Sequence, residues 1–281
     1  MRRSFLARFA VHTALIGALI VTLYPVLWVV KLALSNNQGL TLSASPWPDE
    51  VHFSNFVDVV TSRTSDGHPL FLRQLFNSIL VASAVTVVGI VFSVSAAYAL
   101  SRMRFYGRGL TLRGFLVSQM LPGVVSSIPL YVLLDKLHLL DRLAGLVLVY
   151  ATTAVPFCVF MLKGFFDSLP RELEEAVLLD GGTRFQAFYY VALPLARPAI
   201  AVTALFSFLS AWNEFILAAT LMNDPRSFTL PVQLQRYVSD FSTDWGRFAA
   251  GAIIVSLPVM ALFLSLEKHL IGGLTQGGVK G

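Results

Sequence analysis

The residues with chemistry to offer gather in two places. Thr203, Ser207, Ser210 and Glu214 are spaced by 4, 3 and 4, which lines them up on one face of a helix. Asn213 adjoins the end of that stripe and Trp212 precedes it. The stripe lies in an apolar run. An ionisable side chain within a membrane span costs at least about 2.5 kcal/mol on insertion scales, so Glu214 is expected to face protein or water. Hydroxyls and an amide suit a neutral polar solute, and an indole stacks on its apolar ring face. A Glu214 that is merely wet near the membrane surface fits the same spacing. The second place is Glu174–Pro198, EEAVLLDGGTRFQAFYYVALPLARP, a polar stretch between two apolar runs. Glu174 and Glu175 are adjacent carboxylates, yet the stretch has no nucleophile–base pair, metal-ligand spacing or phosphate loop. They read more simply as a solvated helix start. The lone Cys158 lies in an apolar run, so no disulfide framework or cysteine metal cluster forms within the chain.

Composition says what carries these groups. Of 281 residues, 56% are hydrophobic and 13% charged, with mean hydropathy +0.70, against about 25% charged in a soluble domain. Spans of about 20 apolar residues cross a bilayer as helices. Six such segments appear, at about 9–34, 71–100, 111–134, 143–166, 195–222 and 247–267. They are too long, and too little alternating, for barrel strands. The expectation is an all-α membrane protein with six transmembrane helices. Arg2, Arg3 and Arg8 precede a first run too long for a signal peptide, so a retained helix is expected over 1–34. The net charge of +5 is explained by the positive-inside rule and needs no nucleic acid. Lys and Arg concentrate on the side of the two termini, as in Arg102, Arg104, Arg108 and Arg113, then Lys163, Arg171, Arg184 and Arg197. Both termini and the Glu174–Pro198 stretch are therefore expected in the cytoplasm.

Between the spans, 35–70 is a long extracytoplasmic loop in which Phe53, Phe56, Val57 and Val60 suggest a short surface helix. Asn77 opens the second span, either satisfied by loop backbone or part of a polar lining. Gln119, Pro122 and Ser126 share one face of the third span, and Tyr150 and Thr153 one face of the fourth. A hydrated path fits these groups, and so does hydrogen bonding between helices.

The Glu174–Pro198 stretch has its own grammar. Pro170 opens a helix, and Glu172, Glu174 and Glu175 suit its positive end. Gly181 and Gly182 end it. Thr183 with Gln186 makes a capping box for a second helix whose apolar face is Phe185, Phe188, Tyr189 and Leu193. Two short helices at an angle make a knob for a groove on another protein.

These residues resemble a known family. Glu175-Ala176-Val177, Gly181, Val191 and Leu193-Pro194 match the EAA loop of permease subunits of bacterial ATP-binding-cassette importers, with Val177 replacing the second Ala and Gly182 a common Ala. The likeness extends over nearly the whole chain to the maltose-type carbohydrate subfamily, through Asn77-Ser78, Ala211-Trp212-Asn213-Glu214-Phe215, Thr229-Leu230-Pro231, Asp244-Trp245 and the Gly-rich tail. The resemblance implies a type I importer permease architecture: the N-terminal helix is followed by a permease core over 71–270 with its coupling loop at 171–198, and a cytoplasmic tail at 271–281. It implies that Glu174, Glu175, Ala176, Asp180, Gly181, Phe185 and Pro194 meet an ATPase dimer, and that Gln276 and Lys280 reach it from the tail. It implies a second homologous permease, an extracytoplasmic sugar-binding protein, and ATP and Mg used by the ATPase, with no cofactor on this chain. The substrate path would run along Asn77, Gln119, Tyr150, Thr153, Ser207, Ser210, Trp212, Asn213 and Glu214. An ABC permease for another polar solute, or an ion-coupled secondary transporter using Glu214, are the other expectations; a membrane enzyme lacks a catalytic constellation.

Overall fold

The computed structural model describes residues 5–36, 45–64, 66–121, 123–238 and 243–277. Among them every regular element is helical. Four helices are long and apolar enough to cross a membrane, or six if each of two bent pairs counts as one span. The chain divides into two compact units, residues 1–72 with 233–257, and residues 73–232 with 258–281.

The first unit is built on α1 (Phe5–Leu34), with Pro25 inside it. Ser45 and the start of the next helix pack back on the end of α1. Asn55 at the start of α2 (Ser54–Val60) donates from Nδ2 to the carbonyls of Ala33, at 3.1 Å, and Ser35, at 2.8 Å. Lys31 is buried and gives its ammonium to Ser45 O at 2.6 Å. The surface helix stands where expected; Val59 is fully buried, while Phe53, Val57 and Val60 are exposed.

The second unit holds most of the candidate chemistry. It contains α3 (Phe71–Arg102) from residue 73 on, α4 (Arg108–Met120), α5 (Gly123–Lys136) and α6 (Leu143–Ser168). Then come α7 (Glu172–Leu179), α8 (Arg184–Ala187), a π-helical turn over Phe188–Ala192, α9 (Leu193–Leu195), α10 (Arg197–Trp212), α11 (Ile216–Leu221) and the start of α12 (Leu230–Arg236). One core cluster includes Val81, Val85, Leu146, Val149, Tyr150, Leu217 and Leu221; the other includes Ala97, Tyr98, Val159, Leu162, Phe166, Ala192 and Ala196. Gly89 lets α3 approach α6 and α10, since a Cβ there would lie 3.4 Å from both Cys158 Sγ and Ser207 Oγ.

Two expected straight spans are bent or broken. α4 and α5 meet at 100°. Leu121 leaves the helical region with ψ 119°, because the residue before a proline, here Pro122, is pushed toward extended backbone. Gln119 and Ser126 therefore belong to different helices. The fifth span bends by 68° between Leu195 and Arg197, and breaks again at Asn213–Phe215, between α10 and α11. Glu214 thus lies beyond the helix that carries the rest of its stripe. The last helix, α13 (Trp245–Gly277), takes in the first residues of the Gly-rich tail. Gln276 falls near its end, and Lys280 lies outside the described residues.

Candidate coupling loop, inner cavity and loop bracket

The two-helix knob forms as its local grammar dictates. α7 carries Glu172, Glu174 and Glu175 in its first turn and ends at Gly181, whose φ of +81° is the left-handed value that favours glycine. Gly182 is also fixed, because a Cβ there would meet Val177 Cγ1 at 2.6 Å. The capping box is complete: Thr183 Oγ1 accepts from Gln186 N at 3.2 Å and Thr183 N donates to Gln186 Oε1 at 2.7 Å. Thr183→Ala is expected to cost about 1 kcal/mol, read as faster tryptic cleavage after Arg184. Pro194 lacks an N–H for the carbonyl four residues back, and the π turn just before it shifts the helical register there.

The two glutamates at the start of α7 part company. Glu175 is exposed. Glu174 is 9% exposed and faces inward, contrary to the solvated pair expected from sequence. Its Oε1 accepts from Arg102 Nε at 2.7 Å and its Oε2 from Tyr98 Oη at 2.7 Å. Arg102 Nη2 also donates to Leu169 O at 2.9 Å. Tyr98 packs its ring on Phe166 and Phe188. Glu174 is thus the pin that fastens α7 to the end of α3. What points away is largely apolar: Leu173, Leu178, Leu179, Phe185, Tyr189 and Tyr190 are exposed. Ala176, Asp180 and Gly181 are exposed with them, and Pro194 is half-buried.

Part of the expected path converges. Tyr150, Thr153, Ser207, Ser210 and Glu214 line one small cavity with Val85, Ala154 and Ala211. Tyr150 Oη donates to Glu214 Oε2 at 2.5 Å. Leu217 N and Ala218 N, at the start of α11, donate to Glu214 Oε1 and Oε2 at 2.9 and 3.1 Å. The other expected residues stand apart. Trp212 is buried and stacks on Phe208, so its ring faces packing, not a solute. Asn213 returns its amide to Leu209 O at 2.9 Å, and Gln119 donates to Thr153 O at 2.8 Å.

Asn77 takes the first of the two roles that its position allowed. Its Nδ2 donates to Arg226 O at 2.9 Å and Phe228 O at 3.0 Å. It belongs to a bracket around 222–230 that the sequence did not reveal. Gln74 donates to Pro225 O, Arg73 Nε to Arg226 O, and Leu230 N to Ser78 Oγ. From the α5–α6 turn, Asp141 Oδ1 accepts from Asn223 N and Asp224 N, while Ser227 Oγ donates to Asp141 O. Asp141 has φ +55°, a conformation that short polar side chains tolerate, and an Asp between two apolar runs was the available signal. Within the loop, the Arg226 N–H and then the Arg226 charge hold the Asp224 carboxyl below the usual carboxylate range.

Comparison with known proteins supplies a context for these sites. A family model described as binding-protein-dependent transport system inner membrane component matches residues 89–270. The chain is 36% identical to the maltose/maltodextrin transport system permease protein of Escherichia coli K12, over 97% of this chain and 96% of that one. It is 32% identical to the diacetylchitobiose uptake system permease protein of Streptomyces coelicolor, over 100% of each. Its fold matches a chain in the crystal structure of a bacterial ABC transporter involved in the import of the acidic polysaccharide alginate. That match has a TM-score of 0.76 and 24% identity, over 95% of this chain and 99% of that one.

Proposed function

The chain belongs to the family of inner membrane components of binding-protein-dependent transport systems, and from that premise we propose that it is the permease subunit of an ATP-driven importer for a di- or oligosaccharide. Full-length likeness to permeases named for maltose/maltodextrin and for diacetylchitobiose carries the substrate class. The exposed apolar face of α7 and α8 carries the coupling role: it is large, aromatic and held rigid by Glu174, as a knob for a partner's groove would be.

The mechanism is alternating access. ATP, with Mg, closes an ATPase dimer made of other subunits; this chain binds neither. Closure draws the coupling helices of this permease and a second homologous one together, and the spans open outward toward a sugar-loaded binding protein. Hydrolysis resets them. The bias is the tighter binding of ATP to the closed state. Glu175, Ala176, Asp180, Gly181 and Phe185 are assigned to the ATPase contact, Pro194 to the turn behind it, and Gln276 and Lys280 to a tail contact. Glu174 acts from behind, by holding α7. The 171–198 loop and the tail are assigned to the cytoplasm, and the sugar path to the α6–α10 face. A permease for a different polar solute fits the same coupling loop. An ion-coupled transporter does not fit the family.

The test is Gly181→Trp in the assembled complex. The side chain adds bulk to the docking face at a φ of +81° that a bulky residue rarely adopts. Binding-protein-stimulated ATP hydrolysis is expected to fall to the basal rate while the ATPase subunits stay active. Undiminished stimulation would refute the coupling assignment.

A further inference from the structure

We propose that Glu214 is a positioning residue, a clip that fastens the broken span α10–α11 to α6, and not a group that grips the solute. The carboxylate's hydrogen-bond partners among the described residues are all internal to this bundle. Oε2 accepts from Tyr150 Oη and Ala218 N, and Oε1 from Leu217 N. One end of the clip therefore closes the first turn of α11, whose N–H groups have no partner within the helix. The other end reaches across to α6, where Tyr150 is 3% exposed. No Pro or Gly accounts for the break at Asn213–Phe215; the carboxylate that caps the new helix does.

The space beside the clip is the wrong size for sugar. The cavity measures about 20 Å³. A single water needs roughly 10–15 Å³, whereas small-molecule pockets run to hundreds. Ser207, 1% exposed, lines it, and its hydroxyl lies beside the Cys158 thiol. With the clip closed, α6 and α10 shut this part of the path.

The single cysteine reports on the clip. Cys158 is fully buried on α6, two helical turns beyond Tyr150 and beside Ser207 on α10. N-ethylmaleimide labelling of this chain, in membranes holding the assembled complex, reads how often the packing of α3, α6 and α10 around Cys158 opens. Tyr150→Phe is expected to speed labelling about tenfold, the loss of one charge-assisted hydrogen bond. Glu214→Asp keeps a carboxylate near α11 but falls short of Tyr150, and is expected to match it. Glu214→Asp in the Tyr150→Phe background is expected to add nothing further, because both changes cut one link. Unchanged labelling in the single variants would overturn the proposal. So would effects that multiply, since a general loosening by Glu214→Asp is as large in the Tyr150→Phe background as in the wild type. The labelling requires no knowledge of the solute, so its failure leaves the transport reading standing, and the Gly181 test leaves this one standing.

Discussion

Glu174→Ala is expected to uncouple the knob from the spans and to destabilise the chain strongly. The side chains of Arg102 and Glu174 are 9% and 11% exposed. Removing one partner of a buried ion pair strands the other charge, at about 3–5 kcal/mol. Here the loss also leaves the Tyr98 hydroxyl without its acceptor in a packed aromatic cluster. Arg102 retains its bond to Leu169 O, which moderates the loss without replacing the carboxylate. Glu174→Gln keeps the shape and an acceptor, and is expected to lose roughly half as much, since a neutral acceptor bonds a guanidinium more weakly. Glu175→Ala, one position on and exposed, is expected to lower thermal stability only slightly, through the loss of one first-turn charge. The checks are the melting midpoint of the purified complex and the ratio of binding-protein-stimulated to basal ATP hydrolysis. A Glu174→Ala protein as stable and as well coupled as wild type would remove the pin from the account.

That contrast between neighbouring glutamates marks the limit of what the chain discloses. The knob itself is legible because its determinants are local. Gly181, the Thr183–Gln186 box and the aromatic face of α8 act within a few residues of one another. Which glutamate turns inward depends on Arg102, seventy-two residues away, and no local pattern announces it. The polar stripe in the fifth span is likewise legible as spacing. Its break at Asn213–Phe215 is not, because the residue that makes it, Glu214, looks from the sequence like the stripe's last member. Gln119 and Ser126 fail for the opposite reason: a proline signal is present at Pro122, but it fits a kink within one helix as readily as a boundary between two. The 222–230 bracket is hidden because its groups, Gln74, Asn77, Ser78 and Asp141, are ordinary singly and meaningful only once the helix ends come together.

Asn77→Asp tests that bracket with almost no change of shape, and is expected to release the 222–230 loop. The amide nitrogen of Asn77 faces two carbonyl oxygens, of Arg226 and Phe228, at 2.9 and 3.0 Å, and the residue is 3% exposed. Aspartate turns two attractive contacts into acceptor against acceptor and adds a charge where water is scarce. An uncompensated buried charge costs about 3–5 kcal/mol. The group avoids part of that cost by taking up a proton, which restores one donor but not two. Asn77→Ala loses the same bonds without the repulsion and is expected to cost less, about 1–3 kcal/mol for the carbonyls left unpaired. The order Asp worse than Ala, despite Asp being the closer match in size, is the signature of the donor. Arg226 is exposed, so trypsin cleavage after it reports loop release in the purified complex. Cleavage is expected to be slow in wild type, faster in Asn77→Ala and fastest in Asn77→Asp. Because the Asp variant depends on protonation, its cleavage is expected to slow as the pH falls through the raised pKa of a buried carboxyl. An Asn77→Asp loop as protected as wild type at neutral pH would show that Arg73, Gln74 and Asp141 hold it without Asn77.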